Sequence, residues 1–253
     1  MENFEQIVQL ERSSPMSYLD YKITSWGRMF SDIGNSESYT SNYTVIDRNE
    51  NIDDIIEEIE KYYNSRNLIP KIFYRHGSLK LDALRPYLIK HGYSIREFDI
   101  SLMILDEHSD RNEISKKFEI KKISHILHEP EYNLAVEQDE GELYGAKLLN
   151  KQLASGNTMF FAYNEFNKPV SMALAEKYNN VVYISNVYTT PSYRRKGYGM
   201  AVTNAVVSYY NSLIIYLHTH NPDAERIYRK LGFSSEKLTS WWAVKGLLPE
   251  WCK

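Results

Sequence analysis

The residues with the clearest chemical content run from Val187 to Gly199: Val187-Tyr188-Thr189-Thr190-Pro191-Ser192-Tyr193-Arg194-Arg195-Lys196-Gly197-Tyr198-Gly199. An apolar, β-prone run ends here, a basic loop with glycines follows, and a helical pattern begins. Successive backbone N–H groups in such a loop converge on phosphate oxygens, and the start of a helix adds partial positive charge. Gly197 and Gly199 permit positive φ and place no side chain between the backbone and an anion. Arg194, Arg195 and Lys196 supply countercharge. Three kinds of phosphate site compete for this pattern. A P-loop needs Gly-Lys-Ser/Thr at a spacing that is absent. A dinucleotide site needs a third glycine where Val202 stands, and an acidic residue ending the next strand where His218-Thr219-His220 stand.

The third kind fits. Arg-x-x-Gly-x-Gly behind a strand and a proline (Arg194, Gly197, Gly199) is followed by Asn-x-x-Ala-x-x-x-Tyr-x-x-x-Gly-Phe (Asn221, Ala224, Tyr228, Gly232, Phe233). The pair resembles the motifs of the GNAT superfamily of N-acetyltransferases, over residues 117–244. The resemblance implies a mixed seven-strand α/β fold that binds acetyl-CoA between two splayed parallel strands. It implies that the amides of Arg195, Lys196, Gly197, Tyr198, Gly199 and Met200 hold the pyrophosphate. It also implies that the backbone at Val187 and Thr189 pairs with the pantetheine arm, that Asn221 contacts the cofactor, and that the Tyr228 hydroxyl faces its sulfur.

The reaction expected on that basis is acetyl transfer to a primary amine by direct attack on the thioester. The departing thiolate needs a proton donor, for which Tyr228 is placed as general acid, and a backbone N–H stabilises the developing oxyanion. The amine must lose a proton. Glu176, near the end of a central strand, is the expected acceptor, with Glu137 and Glu142 as alternatives. The reaction needs no covalent enzyme intermediate, and Cys252, the single cysteine, is no expected nucleophile. His218 and His220 lack a further ligand at metal spacing, so no metal is expected. Trp241 and Trp242 read as sheet packing, one of them edging the acceptor groove. The alternative from another class is a non-catalytic acyl-CoA-binding or scaffold protein that keeps the cofactor loop without turnover.

These residues need a scaffold. Residues to about Gly34 repeat apolar side chains at Met16, Leu19, Ile23, Trp26 and Phe30 and read as one helix. Tyr43–Ile46 reads as a strand, Ile52–Tyr63 as a helix, Ile69–Tyr74 as a strand, Leu79–Lys90 as a helix and Ser94–Leu105 as strand. The polar run Asp106–Asn112 reads as a linker. Strands are then expected near Phe118–Ile123, Thr158–Tyr163, Val170–Lys177, Val181–Tyr188, Leu213–Leu217 and Ser235–Val244. Helices fill Glu131–Ala154, Gly199–Tyr210 and Pro222–Leu231. The order implies a mixed sheet with helices on its faces.

The halves also echo one another. Ala83-Leu84-Arg85-Pro86-Tyr87 before Gly92-Tyr93 parallels Ala224-Glu225-Arg226-Ile227-Tyr228 before Gly232-Phe233. The expected organisation is a degenerate GNAT-like or bracing lobe at residues 1–110 and a catalytic domain at 111–253. The first lobe carries Asp47-Arg48-Asn49-Glu50-Asn51 where the second carries its basic loop, so it is expected to be non-catalytic.

Composition sets the outer limits. The chain has 253 residues, 43% hydrophobic and 25% charged, which suits a folded globular protein. A net charge of −3 gives no reason to expect nucleic acid or a membrane surface as partner. One cysteine excludes a disulfide framework. No apolar run reaches the roughly 18–20 residues of a membrane span, and the acidic start Met1–Glu5 shows no leader pattern. A cytoplasmic protein acting on a small-molecule or peptide amine is expected; the acceptor and the oligomeric state are not legible.

Overall fold

The computed structural model describes residues 2–106 and 118–247. The chain forms two compact units, one from Met1–Tyr18 with Ile100–Leu238, the other from Leu19–Asp99 with Thr239–Lys253. The expected boundary between residues 110 and 111 and most of the expected linker lie outside the described residues, as does Cys252. The two units meet along the chain at 18/19, 99/100 and 238/239.

The first unit begins with α1 (Glu2–Ser13) and a 3-10 turn at Ser14–Ser17. Its sheet contains the C-terminal half of β5 (Tyr93–Leu105), then β6 (Glu119–Ile123), β7 (Thr158–Tyr163), β8 (Pro169–Tyr178), β9 (Val181–Thr189) and β10 (Ile214–Thr219). In space the order is β5-β10-β9-β8-β7-β6, antiparallel except for the parallel pair β9/β10. Helices α4 (Glu129–Gln138), α5 (Tyr144–Ala154), α6 (Tyr198–Tyr209) and α7 (Pro222–Lys230) complete it. Side chains alternate across a strand, so each face builds its own core. Ala173, Ala175, Val182, Ile184, Ile215 and Leu217 meet α6 and α7. The other face meets α4 and α5 through Met159, Phe161, Met172 and Leu174. On that same face Ile7 and Leu10 of α1 pack on Leu102, Val181 and Tyr216.

The second unit carries β1 (Asp20–Ile23), β2 (Gly27–Ser31), β3 (Tyr43–Ile46) and β4 (Lys71–Phe73), with the C-terminal half of β11 (Phe233–Lys245). The order is β1-β2-β3-β4-β11, with β3/β4 parallel. Helices α2 (Ile52–Asn64) and α3 (Leu81–Lys90) cover one face over Met29, Ile46, Ile72, Trp241 and Ala243. Trp242 stacks on Phe73 at 4.1 Å, so both tryptophans expected to pack in a sheet do so here. The two units repeat one topology: strand, loop, helix, parallel strand, helix, strand. The mixed α/β architecture is the expected one. The last strand of each run, however, pairs outside its own half of the sequence: β5 lies beside β10, and β11 beside β4.

One expected element is corrected. The stretch up to Gly34 is not a single helix: α1 stops at Ser13, and β1/β2 form a hairpin with Ile23 opposite Arg28. Pro15 removes a donor and disfavours helix at the residue before it. The Thr24 amide donates to Gly27 O at 3.0 Å and closes the turn. The three-and-four spacing from Met16 to Phe30 was an accidental overlap with a hairpin pattern. Among the described residues, no helix is long and apolar enough to cross a membrane.

Leu10 is 1% exposed. Leu10→Ala is expected to cost about 2–5 kcal/mol through the cavity it leaves, seen as a lower denaturation midpoint by circular dichroism. A loss below about 0.5 kcal/mol would show that α1 is not part of the first unit's core.

Candidate cofactor and active site

The site is set by where β9 and β10 part. Their parallel ladder runs from Val181/Ile214 to Ile184/Leu217 and stops, although β9 continues to Thr189 and β10 to Thr219. On its other side β9 stays paired to β8, with Met172 opposite Tyr188 and Ser171 opposite Thr189. The register slips between Met172 and Leu174, so β9 holds one extra residue there, and Asn186 takes φ +50°. A bulge increases twist and bends its strand. Among the described residues, the β10-facing edge of Ser185–Thr189 therefore has no strand partner and is open to an extended ligand chain, as at any free sheet edge.

Beyond Thr189 the Thr190 amide donates to Val170 O at 3.0 Å, and Pro191–Tyr193 makes one 3-10 turn. Arg195 then adopts φ +61° and Gly197 φ +96°, the latter as N-cap of α6. The first intrahelical bond is Ala201 N to Gly197 O at 3.0 Å. Among the described residues, none of the six amides from Arg195 to Met200 donates to a protein acceptor. Some orphan donors are inherent to a helix start; six in a row around two left-handed residues make an anion cradle. Left-handed backbone at a non-glycine costs about 1–3 kcal/mol and clusters at functional sites.

Two expectations are refined here. Gly199 is an ordinary helical residue, not a positive-φ one; a Cβ there would lie 3.3 Å from Thr189 Oγ1, so glycine serves close approach. Arg195 takes the left-handed position that the sequence reading gave to glycine, and nothing in an arginine signals it. Arg194 Nε donates to Thr189 O at 3.0 Å, which ties the loop to the end of β9. Lys196 lies over the Tyr193 ring at 4.9 Å. Tyr198 is buried against Phe118 and Tyr193 and offers its amide only. Orphan amides flanked by exposed Arg195 and Lys196 fit a pyrophosphate.

Val187, Tyr198, Met200 and Tyr228 belong to one apolar cluster. Tyr228 is 6% exposed, burial pushes its phenol up to about 12, and its hydroxyl has no protein partner among the described residues. Asn221 caps α7, its Oδ1 accepting from Asp223 N at 2.9 Å and Ala224 N at 3.4 Å.

The sheet face opposite α6 holds the acidic groups. Glu176 is buried and accepts from Ser14 Oγ at 2.9 Å, Tyr18 OH at 3.2 Å and Ser185 Oγ at 3.3 Å. Hydrogen bonds to a charged acceptor contribute about 1.5–3 kcal/mol each and offset its burial. Glu137 is exposed and accepts from Tyr188 OH at 3.0 Å, while Gln138 Nε2 donates to Asn186 Oδ1 at 3.2 Å. Glu142 is exposed beyond α4. His218, the first β10 residue past the ladder, has Nε2 3.8 Å from Glu11 Oε1. His220 lies beyond β10. The sequence reading missed Glu11, Ser14 and Tyr18 because their segment was assigned to the other lobe. A signal existed: Glu11 and Ser14 follow Ile7 at helical spacing, which puts polar groups on the buried stripe.

Capping by Asn221 predicts that Asn221→Ala destabilises the chain by about 1 kcal/mol, whereas Asn221→Ser is nearly neutral; thermal melting separates them. Equal losses would mean that the side chain has a role other than the cap.

Comparison with known proteins agrees with this geometry. The sequence model of the acetyltransferase (GNAT) family matches residues 120–233. A GCN5-related N-acetyltransferase from Kribbella flavida superposes with TM-score 0.69 at 15% identity, over 96% of this chain and 95% of that one. A GCN5-related N-acetyltransferase-like protein from Streptococcus suis gives TM-score 0.55 at 13% identity, over 96% and 98%. A tandem GNAT protein from the clavulanic acid biosynthesis pathway gives TM-score 0.59 at 10% identity, over 98% and 96%. A search of curated proteins gave no match. The segment 120–233, which carries the parted strands and the orphan amides, matches the acetyltransferase (GNAT) family, and the fold is the one these structures share.

Proposed function

We propose that this chain is an acetyl-CoA-dependent N-acetyltransferase with one working site, in the first unit, acting on a primary amine of a small molecule or peptide. The observation that carries the reading is the run of six amides, Arg195 to Met200, which among the described residues have no protein acceptors, beside a strand edge that has no partner there. In this reading those amides hold the pyrophosphate with Arg195 and Lys196, and the Val187 and Thr189 backbone pairs with the pantetheine arm. Acetyl-CoA, when bound, supplies an acyl carbonyl activated as a thioester.

Tyr228 keeps its proton at neutral pH and presents an O–H to the sulfur. Full transfer from a phenol at about 12 to an ordinary thiolate at about 8.5 is uphill by roughly 5 kcal/mol. The hydroxyl therefore acts mainly by donating a hydrogen bond as charge builds on sulfur. Glu176 accepts the amine proton through the Ser185 hydroxyl or a water, since Ser185 is its link to the parted segment of β9. Glu137 holds Tyr188 and is the less direct base.

Among its described residues the second unit offers no equivalent cradle. Its α2 also starts from a left-handed N-cap, Asn51 at φ +54°, but Asp53 and Asp54 occupy the first turn and would repel phosphate. This unit is read as a non-catalytic brace.

Calorimetric titration of acetyl-CoA into the intact chain is expected to show about one equivalent bound, with binding abolished in Gly199→Glu. Two equivalents would overturn the non-catalytic reading of the second unit, and no binding would overturn the cofactor assignment. Tyr228→Phe is expected to keep acetyl-CoA affinity while lowering thiol release in an amine screen by about 100-fold, the low end for general acid catalysis. Unchanged turnover would assign Tyr228 to packing. Binding with no turnover on any amine would favour the acyl-CoA-binding alternative.

A further inference from the structure

A chain of hydrogen bonds crosses the sheet face opposite α6 and reaches Ser185, the first β9 residue past the ladder with β10. Glu176, 5% exposed, is held at both carboxylate oxygens. Ser14 Oγ and Tyr18 OH donate to Oε2 at 2.9 and 3.2 Å, and Ser185 Oγ donates to Oε1 at 3.3 Å. Next along the chain, Asn186 Nδ2 donates to Ser185 Oγ at 3.4 Å, and Gln138 Nε2 donates to Asn186 Oδ1 at 3.2 Å. Long hydrogen bonds are usual for catalytic groups until substrate tightens them. The donors come from three separate places: the turn after α1, the bulge in β9 and the end of α4.

The chemistry of these groups gives the chain one direction. An ionised carboxylate only accepts, so the Ser185 proton lies toward Glu176. Ser185 Oγ then meets Asn186 as an acceptor, which turns the Asn186 amino group toward it and the Asn186 carbonyl toward Gln138. A hydroxyl has one proton and two lone pairs. Asn186 occupies one lone pair, and the second is left for a donor from outside the chain, which half-buried Ser185 can meet. Asn186 keeps its place at φ +50°, a backbone strain of the kind that gathers at functional sites. Building on the transferase reading, we propose that Ser185 Oγ receives the N–H of the attacking amine, with Ser14, Tyr18 and Asn186 as positioning residues that fix its direction. As the amine nitrogen bonds to the acyl carbon, its proton passes to Ser185 Oγ and the Ser185 proton passes to Glu176 Oε1. The electron pair of the broken C–S bond stays on the thiolate sulfur, and Glu176 releases the proton to water. Ser14 and Tyr18 lie outside the family-matched residues 120–233, so the N-terminal segment takes part in proton transfer.

The test is steady-state kinetics on the full chain with an amine found by the screen, beside calorimetric titration of acetyl-CoA. Ser185→Ala is expected to lower kcat about 100-fold, while acetyl-CoA affinity and melting temperature stay nearly unchanged. Ser185→Thr, which keeps the hydroxyl and suits a strand, should restore most of the rate. Asn186→Gly keeps the left-handed backbone and so isolates the side chain. That variant and Tyr18→Phe should each lower kcat about tenfold, the low end for a hydrogen bond in a charged network, with KM for acetyl-CoA unchanged. A purely structural role would instead lower the melting temperature and leave kcat per folded site unchanged in both, which would overturn the proposal. A Ser185→Ala rate equal to wild type, or a Ser185→Thr as slow as Ser185→Ala, would also overturn it, and the transferase reading would survive. Acetyl-CoA bound by the wild type with no turnover of any amine would overturn both.

Discussion

The rest of the first unit depends on a parallel strand pair that stops pairing. Backbone N–H and C=O groups must be satisfied by something, and after Ile184 and Leu217 the two central strands no longer satisfy each other. The protein accommodates this on one side by keeping β9 on β8, at the cost of a bulge and a left-handed Asn186. On the other side it leaves an edge for an extended ligand. The α6 N-terminus lies just past that edge because Arg194 ties the loop to Thr189, and because Gly199 has no side chain to hold helix and strand apart. The cradle is thus a consequence of the divergence, and its orphan amides extend a need for partners that begins in the strand.

The second face answers a different need. Within the family-matched segment, the sheet face opposite α6 is covered by α4 and α5. The remainder is closed by α1, from outside that segment, through Ile7 and Leu10. With α1 and its following turn come Glu11, Ser14 and Tyr18, so the helix that closes the core also fixes the Glu176 carboxylate. A packing element and a polar network are supplied by the same eighteen residues, which makes the N-terminal segment part of the first unit's construction.

Most regular elements were legible because their signals are local. The apolar spacing of Ile52, Ile55, Ile56 and Ile59 gave α2, and alternation in Thr158–Tyr163 gave β7. Pro222 and Gly232 bracketed α7. The cofactor loop was legible for the same reason: its chemistry is written in consecutive residues. What failed was non-local. Nothing in Ser94–Leu105 states that it pairs with β10 and not within its own half, because strand pairing is decided by which edge is free in space. The hairpin at residues 20–31 was misread because a short run with apolar residues at spacings of three and four fits two periods at once, and only Pro15 separates them. Arg195 was invisible as a left-handed residue because its conformation is imposed by the loop and not by its own preference.

The repeated topology separates what the fold supplies from what the site requires. Both units start the helix after their parallel-pair strand from a left-handed N-cap, Asn51 in one and Gly197 in the other. That geometry is therefore a property of the strand-to-helix turn and does not by itself make an anion site. The difference lies in what precedes and follows the cap. In one unit Asp47 is paired with Arg28 at 2.9 Å and Asp53 and Asp54 enter the helix; in the other Arg195 and Lys196 stand exposed before a helix without acidic residues in its first turn. A helix N-terminus contributes about 0.3–1 kcal/mol toward a single charge, an effect that two carboxylates in the first turn cancel. The scaffold tolerates both charge patterns, and only the pattern in the first unit suits the phosphate proposed for it.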